Sequence, residues 1–588
     1  MRVLKPRLAG VLLGGLCVVT LPWWASDQYQ LHLATLIGVY WILVAGLNLV
    51  VGYSGQLSIG HVGLLCIGSY AFAIVTGKWG WHSAWGLSVS TALGALCGFA
   101  LGLPSLRLPG FYFAMATMAF TMIVNELVLA QVDLTGGGVG LAGPMFPPPF
   151  DSPAGFYALV VALAAGVTWL TWNIARRMWG RALISIRDNP VAAQAVGVPV
   201  FKAKLTAFVF SGASAGLAGA VFASLQSYIT PDTFVFELSM FFFVCIIIGG
   251  RGSIWGPFFG TVVLTALPEM VAPLARLGNF FYGLLLLMVV LLVPEGIGRM
   301  LTLLGERLRP RQVHRSPISP NLKRLAQALE SPTGLPLKNQ LQALQISKEF
   351  GGLRALDQVT LGVQPGEVHG LIGPNGSGKT TLLNMLSGYY QPTAGRIVLG
   401  GEDLSGQSVQ RRAQLGVART FQKPRLMPML TVLENAVLGA WTHARSGFMS
   451  TAIARPAVAA EERALLQHAE ELLQGVGLGH VMHRPASLLD HAEQRFLEIA
   501  RALALRPRFV LLDEPAGGLT EPEIEHLGGV IRTLRDSGIG VLLVEHHTDF
   551  VFRTCDRITT LHVGRMICHG SAQQVRNDPE VIRVYLGA

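Results

Sequence analysis

Gly373, Pro374, Asn375, Gly376, Ser377, Gly378, Lys379, Thr380 and Thr381 contain the spacing G-x-x-x-x-G-K-[ST]. Glycines at those positions let backbone N–H groups turn inward around phosphate oxygens. Lys379 is then placed to reach the β- and γ-phosphates of a nucleotide, and the Thr380 hydroxyl to ligand Mg²⁺. The motif requires a strand before it and a helix after it, and the apolar run Glu367–Ile372 and the segment Lys379–Leu386 supply both. A second apolar run, Phe509–Leu512, ends in Asp513 and Glu514. There Asp513 fits a Mg²⁺ holder acting through water, and Glu514 a general base that polarises the attacking water. A third strand, Gly540–Val544, ends in Glu545, His546 and His547, and His546 fits a contact to the γ-phosphate. An acidic pair can simply cap a strand, and a lone histidine is usually a surface one. With the phosphate loop upstream, the set reads as ATP hydrolysis with ATP and Mg²⁺ as cofactors.

These residues occupy only the second half of a 588-residue chain that is 51% hydrophobic and 14% charged. Soluble proteins carry about 25% charged residues. The shortage lies in residues 1–300, a series of long apolar runs, while 340–588 has the balance of a soluble domain. The net charge of +10 belongs almost wholly to the first half. Such a basic excess points to lipid headgroups and the positive-inside rule, not to nucleic acid. The cysteines Cys17, Cys66, Cys97, Cys245, Cys555 and Cys568 are scattered without a C-x-x-C pair, so neither a disulfide framework nor a zinc site is expected. Met1–Arg7 followed by Leu8–Trp24 resembles a signal peptide in outline. No small-residue cleavage site follows, so a retained first span is expected.

The sequence predicts a polytopic α-helical permease domain over 1–304, a linker over 305–340 and an α/β P-loop ATPase over 341–588. Predicted spans are 8–24, 31–51, 57–77, 86–104, 111–130, 155–174, 205–225, 235–250, 254–272 and 281–298, with 235–250 short. Most approach the roughly 20 residues that a helix needs to cross hydrocarbon. Arg2, Lys5 and Arg7, then Arg107, then Arg176 to Lys204, then Arg299 to Arg324 fall on one side if there are ten spans; eight also satisfies parity. That side should be the cytoplasm, with the N-terminus and the ATPase inside and the chain in a bacterial cytoplasmic (inner) membrane. Gly212, Gly216 and Gly219 suit close helix packing. In Asn48–His61, Tyr53, Ser54, Gln56, Ser58 and His61 put polar atoms at membrane depth. Two readings compete there: hydrogen bonding between helices, and a glycine-interrupted helix lining a translocation path.

Residues 180–204 contain Asp188 as a capping residue, Pro190 for a first turn, the helix-favouring Ala192, Ala193 and Ala195, and the stops Gly197 and Pro199. Such a helix could lie among headgroups or dock on an ATPase. The order A-A-Q-A-x-G resembles the EAA loop of ABC importers, which implies a coupling helix. LNLVVGYSGQLSIGH, LRLPGFYFAMATMAF, LTGGGVGL and IIIGGRGSIWGPFFGT are similar, in order, to segments of branched-chain amino-acid importer permeases over roughly 35–298. That family also carries urea, amides and other small solutes. The Pro- and Arg/Lys-rich stretch 305–340 reads as a flexible linker with a short helix near Asn321–Leu329.

Residues 341–588 resemble the ABC ATPases, closest to those of the same importers. The resemblance implies that Phe350 stacks on adenine. Gln422 would sense the γ-phosphate, join Thr380 and Asp513 at Mg²⁺, and face the coupling helix. Gly518, Leu519 and Thr520 would form the D-loop. Leu489, Asp490, His491, Ala492 and Glu493 stand where the family has L-S-x-G-Q, so this signature is degenerate. Asp490 would bring negative charge toward a phosphate, and Ala492 a Cβ where backbone must approach. An asymmetric dimer is expected, with this P-loop completed by a partner's intact signature.

The leading expectation is an importer subunit working with a second permease, a second ABC ATPase, a solute-binding protein and membrane lipid. A half-size exporter is disfavoured by the span number and by internal loops of modest length. A third class, an ATP-binding scaffold with weak hydrolysis, fits the degenerate signature but not the complete set of Glu514 and His546.

Overall fold

The computed structural model describes residues 27–104, 108, 110–271, 318–329 and 340–586, with isolated positions 22, 283 and 287. The predicted spans 8–24 and 281–298, the basic residues Arg2, Lys5, Arg7, Arg107 and Arg299, and most of the stretch 305–340 lie outside the described residues. The chain divides into two compact units, one of 1–187, 201–312 and 448–454, the other of 188–200, 313–447 and 455–588.

The first unit is helical: α1 Gln28–Asn48, α2 His61–Phe72, α3 Ser83–Gly102, α4 Gly110–Ala130, α5 Pro153–Ala175 and α6 Met178–Asp188. After α7, Pro190–Ala195, which belongs to the second unit, come α8 Val200–Gln226, α9 Phe236–Gly249 and α10 Trp255–Val271. Among the described residues seven helices are long and apolar enough to span a membrane, and Trp255–Leu267 is a shorter apolar helix. Glycines set the tightest packing. A Cβ at Gly94 would overlap the Gly212 carbonyl, one at Gly68 the Gly216 carbonyl, and one at Gly219 the Leu65 carbonyl. Backbones of α2, α3 and α8 therefore touch directly.

Two expected spans differ in detail. The run 57–77 becomes helical only at His61, because Gly55 has φ +71° and breaks the path after a π-helical turn, Leu49–Tyr53. The freed N–H of Ile59 donates to the Thr117 hydroxyl of α4 at 3.0 Å, which satisfies the non-helical backbone. The helix within 235–250 is only 14 residues, Phe236–Gly249. It ends at Gly250, whose φ of +100° a residue with a Cβ seldom adopts.

In the second unit the strands are β1 Leu341–Phe350, β2 Leu353–Val363, β3 Val368–Ile372, β4 Ala394–Leu399, β5 Glu402–Asp403, β6 Val417–Arg419, β7 Phe509–Asp513, β8 Gly540–Val544, β9 Arg557–His562 and β10 Arg565–Gly570. A six-stranded sheet runs β10-β9-β3-β8-β7-β6, with β8 parallel to both β3 and β7. A four-stranded antiparallel sheet runs β2-β1-β4-β5. Every residue of β3, β7 and β8 is buried, as near-continuous aliphatic runs in a parallel sheet should be. Because these three strands are neighbours with one direction, the loops after Ile372, Asp513 and Val544 meet at one edge. The helices used below are α11 Leu322–Leu329, α12 Lys379–Leu386, α13 Val409–Gln414, α14 Val432–Leu438, α15 Phe448–Ala452, α16 Pro456–Gly475, α17 His491–Ala504 and α18 Glu521–Asp536. Within 305–340, residues 318–329 are docked: Leu325 of α11 is fully buried, and the Asn321 N–H donates to the Gly475 carbonyl at 2.8 Å.

Candidate functional site

The phosphate loop leaves β3 and opens α12. Gly376 and Gly378 have φ of +80° and +101°, and no side chain caps the helix, so its first N–H groups point into the loop. The Ser377 hydroxyl is buried in this loop without a hydrogen-bond partner. Lys379 bends back to donate to the carbonyls of Gly373 and Pro374 at 2.6 and 3.0 Å. Burial lowers its pKa, and the nearby Glu514 and Asp513 oppose that shift. Asn375 and Thr380 are exposed at the mouth, with Pro374 and Thr381 partly exposed beside them. Phe350 ends β1 and is 40% exposed, edge-on to Tyr390 at 5.2 Å between ring centroids. An open aromatic face of this kind can stack on a purine.

Glu514 is the centre of the cluster at the strand ends. Its carboxylate accepts from the Gln422 amide at 2.8 Å and meets the His546 Nε2 at 2.9 Å. Its φ of +47° is uncommon for a residue with a Cβ, and backbone strain of this kind gathers at functional sites. Buried Glu545 shapes both neighbouring loops, accepting from the Ala516 N–H at 2.6 Å and the His546 N–H at 3.1 Å. Asp513 is buried and paired with Arg419 at 3.1 Å. Burial pushes its pKa up, and Arg419 pulls it back. The donors gathered here are a hydroxyl, a carboxylate and an amide, all hard oxygens, and with the orphaned Ser377 hydroxyl they fit a Mg²⁺–phosphate ligand.

The segment 489–493, expected to be a degenerate signature, is held by its own side chains. Asp490 caps α17, accepting the Glu493 N–H at 2.8 Å, while the Glu493 carboxylate accepts the Asp490 N–H at 3.0 Å. Leu489, Ala492 and Glu493 are buried, and Asp490 and His491 are exposed. The His491 ring lies over Gly518, where a Cβ would come within 2.9 Å of it. The carboxylate expected to face a phosphate thus also holds its own helix terminus.

The segment 188–200 packs within the second unit. Its cap is Asn189, not Asp188: Asp188 ends α6, whereas Asn189 is extended and accepts the Ala192 N–H at 3.0 Å. Ala192, Ala193 and Ala195 are buried. Gly197 has φ +84°, and a Cβ there would come within 2.5 Å of Thr442. The Tyr389 hydroxyl donates to the Val191 carbonyl at 2.7 Å. Arg419 stands 5.4 Å from the Tyr389 ring and 5.3 Å from that of Phe421, next to Gln422. A packed chain therefore runs from Asp513 through Arg419 and Tyr389 to α7.

In the first unit Tyr53 is buried in the π-helical turn. The Ser54 hydroxyl donates to Val50 O at 2.8 Å, and the Gln56 amide lies 3.4 Å from Ser54 O. Ser58 meets His61 Nδ1 at 3.1 Å, and His61 Nε2 meets Ser211 of α8 at 2.7 Å. These polar groups satisfy one another and the backbone around a break in the helix.

Arg419, Tyr389 and Asn189 are absent from the sequence reading, which names Glu545 only as the end of a strand. Only Asn189 had a local signal, an Asx residue immediately before proline.

An apolar multi-helix unit joined to a phosphate-loop α/β unit defines a membrane permease fused to an ABC-type ATPase. Residues 29–291 match the model for "Branched-chain amino acid transport system / permease component". Residues 356–517 match "ABC transporter", and 565–588 "Branched-chain amino acid ATP-binding cassette transporter". The chain is 39% identical over 248 residues to the high-affinity branched-chain amino acid transport ATP-binding protein BraF of Pseudomonas aeruginosa, covering 42% of this chain and 97% of that protein. It is 40% identical over 239 residues to LivG of Escherichia coli K12, covering 40% of this chain and 94% of LivG. The crystal structure of the ADP conformation of MJ1267, an ATP-binding cassette of an ABC transporter, aligns with TM-score 0.38 and 30% identity over 42% of this chain and 99% of that one. The chain belongs to the branched-chain amino-acid ABC transporter family, with a multi-pass permease and an ATP-binding, ATP-hydrolysing component in one polypeptide.

Proposed function

We propose that the protein imports branched-chain amino acids across a bacterial cytoplasmic membrane, with its N-terminus and ATPase domain inside. The observation that carries the reading is Glu514 held between Gln422 and His546 in a chain that also contains the permease. Phe350 binds the adenine, and the loop Gly373–Thr381 with Lys379 binds the phosphates. Thr380, Asp513 and Gln422 would hold Mg²⁺, which would supply charge neutralisation on the phosphates when bound. Glu514 accepts a proton from the attacking water, and Gln422 and His546 fix the direction of its carboxylate. His546 also donates toward the γ-phosphate. Arg419 and Tyr389 relay the state of this site to α7, so the helix 190–195 acts as the coupling element.

The complete transporter contains a second permease, a second ABC ATPase with an intact signature and a solute-binding protein. Support for asymmetry comes from the Asp490–Glu493 box, which places two carboxylates at the helix terminus meant for the partner's nucleotide. The test is ATP-dependent uptake of labelled leucine by the reconstituted assembly with its solute-binding protein, with Glu514→Gln as control. Uptake that the substitution abolishes supports the reading. An assembly that hydrolyses ATP but moves urea or an amide in place of leucine overturns the substrate, and one that binds ATP without turnover overturns the transporter.

A further inference from the structure

Seven residues of the ATPase sequence, 448–454, belong to the first unit. They carry α15, Phe448–Ala452, whose buried face is anchored among membrane-unit side chains. The Phe448 ring sits edge-on to Trp179 at 5.3 Å and to Phe210 at 6.0 Å. The Asn173 amide of α5 donates to the Ala452 carbonyl at 2.9 Å, and both groups are buried.

The other face is apolar and open. Met449 is 68% and Ile453 41% exposed. The Ile453 N–H donates to the Met449 carbonyl at 3.1 Å, so the helical turn continues and the two side chains share one face. Ala454, at φ +51°, then ends the turn. The exposed Met and Ile form a small apolar patch on one face of a short helix. Here the helix stands at a specific level of α5. One turn away, Trp169 is 50% exposed on the outward face of this span, while the Arg176 guanidinium lies 3.6 Å from the centre of the Trp172 ring. Exposed tryptophan followed by a stacked arginine marks the boundary between hydrocarbon and headgroups. In the sequence α15 is bracketed by the exposed Arg445 and Arg455, whose charge suits anionic headgroups.

We infer that α15 is a membrane-interface foot of the ATPase: Phe448 fastens it to the transmembrane helices, and Met449 and Ile453 enter the lipid beside Trp169. The occupant of this face is acyl chain, argued from continuity with the lipid-facing side of α5. The inference does not depend on which solute is carried.

The test is site-specific photocrosslinking in the full-length chain, assembled with its partners in vesicles of phosphatidylethanolamine and phosphatidylglycerol. Three positions carry the probe: Met449→p-benzoylphenylalanine, Trp169→p-benzoylphenylalanine as the lipid-facing reference, and Ala460→p-benzoylphenylalanine as the exposed reference on α16. Adducts are located by peptide mass spectrometry. The inference expects lipid adducts at 449 and 169 and none at 460. Lipid adducts at 169 without any at 449 overturn it, and so do adducts from 449 to a protein subunit, which would mean that a partner covers this face. A failure of 169 itself to reach lipid would overturn the reading of α5 as a span, a distinguishable result. Ile453→p-benzoylphenylalanine repeats the test at a second position on the same face.

Discussion

Two helix N-termini in the second unit meet the same electrostatic problem in opposite ways. α12 opens at Gly378 with no capping side chain, and its free N–H groups and orphaned Ser377 hydroxyl form a cradle for an anion. α17 opens at Asp490, and the Asp490–Glu493 box satisfies the Asp490 and Glu493 N–H groups from within. A helix N-terminus carries roughly half a positive charge, and either an external phosphate or an internal carboxylate can neutralise it. The first terminus leaves its positive end to a ligand, and the second meets part of it with its own carboxylates. We propose from this contrast that the chain keeps the hydrolytic set on its P-loop face while its signature gives up the clasp on a partner's phosphate.

The strongest way to break this comparison is at the P-loop face. Glu514→Gln should lower steady-state phosphate release by about 100-fold or more while leaving ATP binding intact, the range expected for loss of a general base. Retained turnover would move catalysis away from Glu514. A smaller effect is expected from opening the second terminus. Asp490→Ser combined with Ala492→Gly keeps a capping hydroxyl and removes both the carboxylate and the Cβ. Phosphate release by the assembly should rise severalfold, with about 4 kcal/mol as the ceiling for two unit charges at 4 Å and an effective dielectric of 20. An unchanged rate would mean that the capping interaction already neutralises Asp490.

Tyr389→Phe asks whether the hydrolytic face speaks to α7. It removes one hydrogen bond to Val191, worth about 1 kcal/mol, and should lower leucine uptake per ATP hydrolysed by about fivefold with hydrolysis little changed. A proportional fall of both quantities would assign Tyr389 to folding. The smallest effect is on stability. Asp490→Ala should destabilise the ATPase unit by about 1 kcal/mol, the usual value of an N-cap, seen as a few degrees in its thermal midpoint. Unchanged stability would contradict the capping role.

The strands and the phosphate loop were legible because their signals are local. An aliphatic run closed by Gly, by Asp-Glu or by Glu-His-His fixes β3, β7 and β8 to within a residue. The cluster around them was legible only as a set of strand ends. Arg419 pairs with Asp513 across 94 positions and Tyr389 with Val191 across 198, and no spacing rule reaches that far. Asp188 and Asn189 both carry side chains that can cap a helix. α6 runs through Asp188, so the extended conformation that a cap requires falls on Asn189. The break before His61 was foreshadowed by its glycines. Its hydrogen bond from Ile59 to Thr117 of another helix was not. The short turn 448–452 carries too few residues for any periodicity, so its place in the membrane unit had no sequence signature.

The central claim is that the two termini make two unequal nucleotide sites, and trapping measures this directly. The assembled transporter, with this chain and its partner ATPase, would be incubated with photoreactive ATP, Mg²⁺ and vanadate, and the trapped nucleotide counted and mapped. The account predicts one trapped nucleotide per ATPase pair, crosslinked within the phosphate-loop site of this chain. Two equally trapped nucleotides, or label confined to the partner, would contradict it.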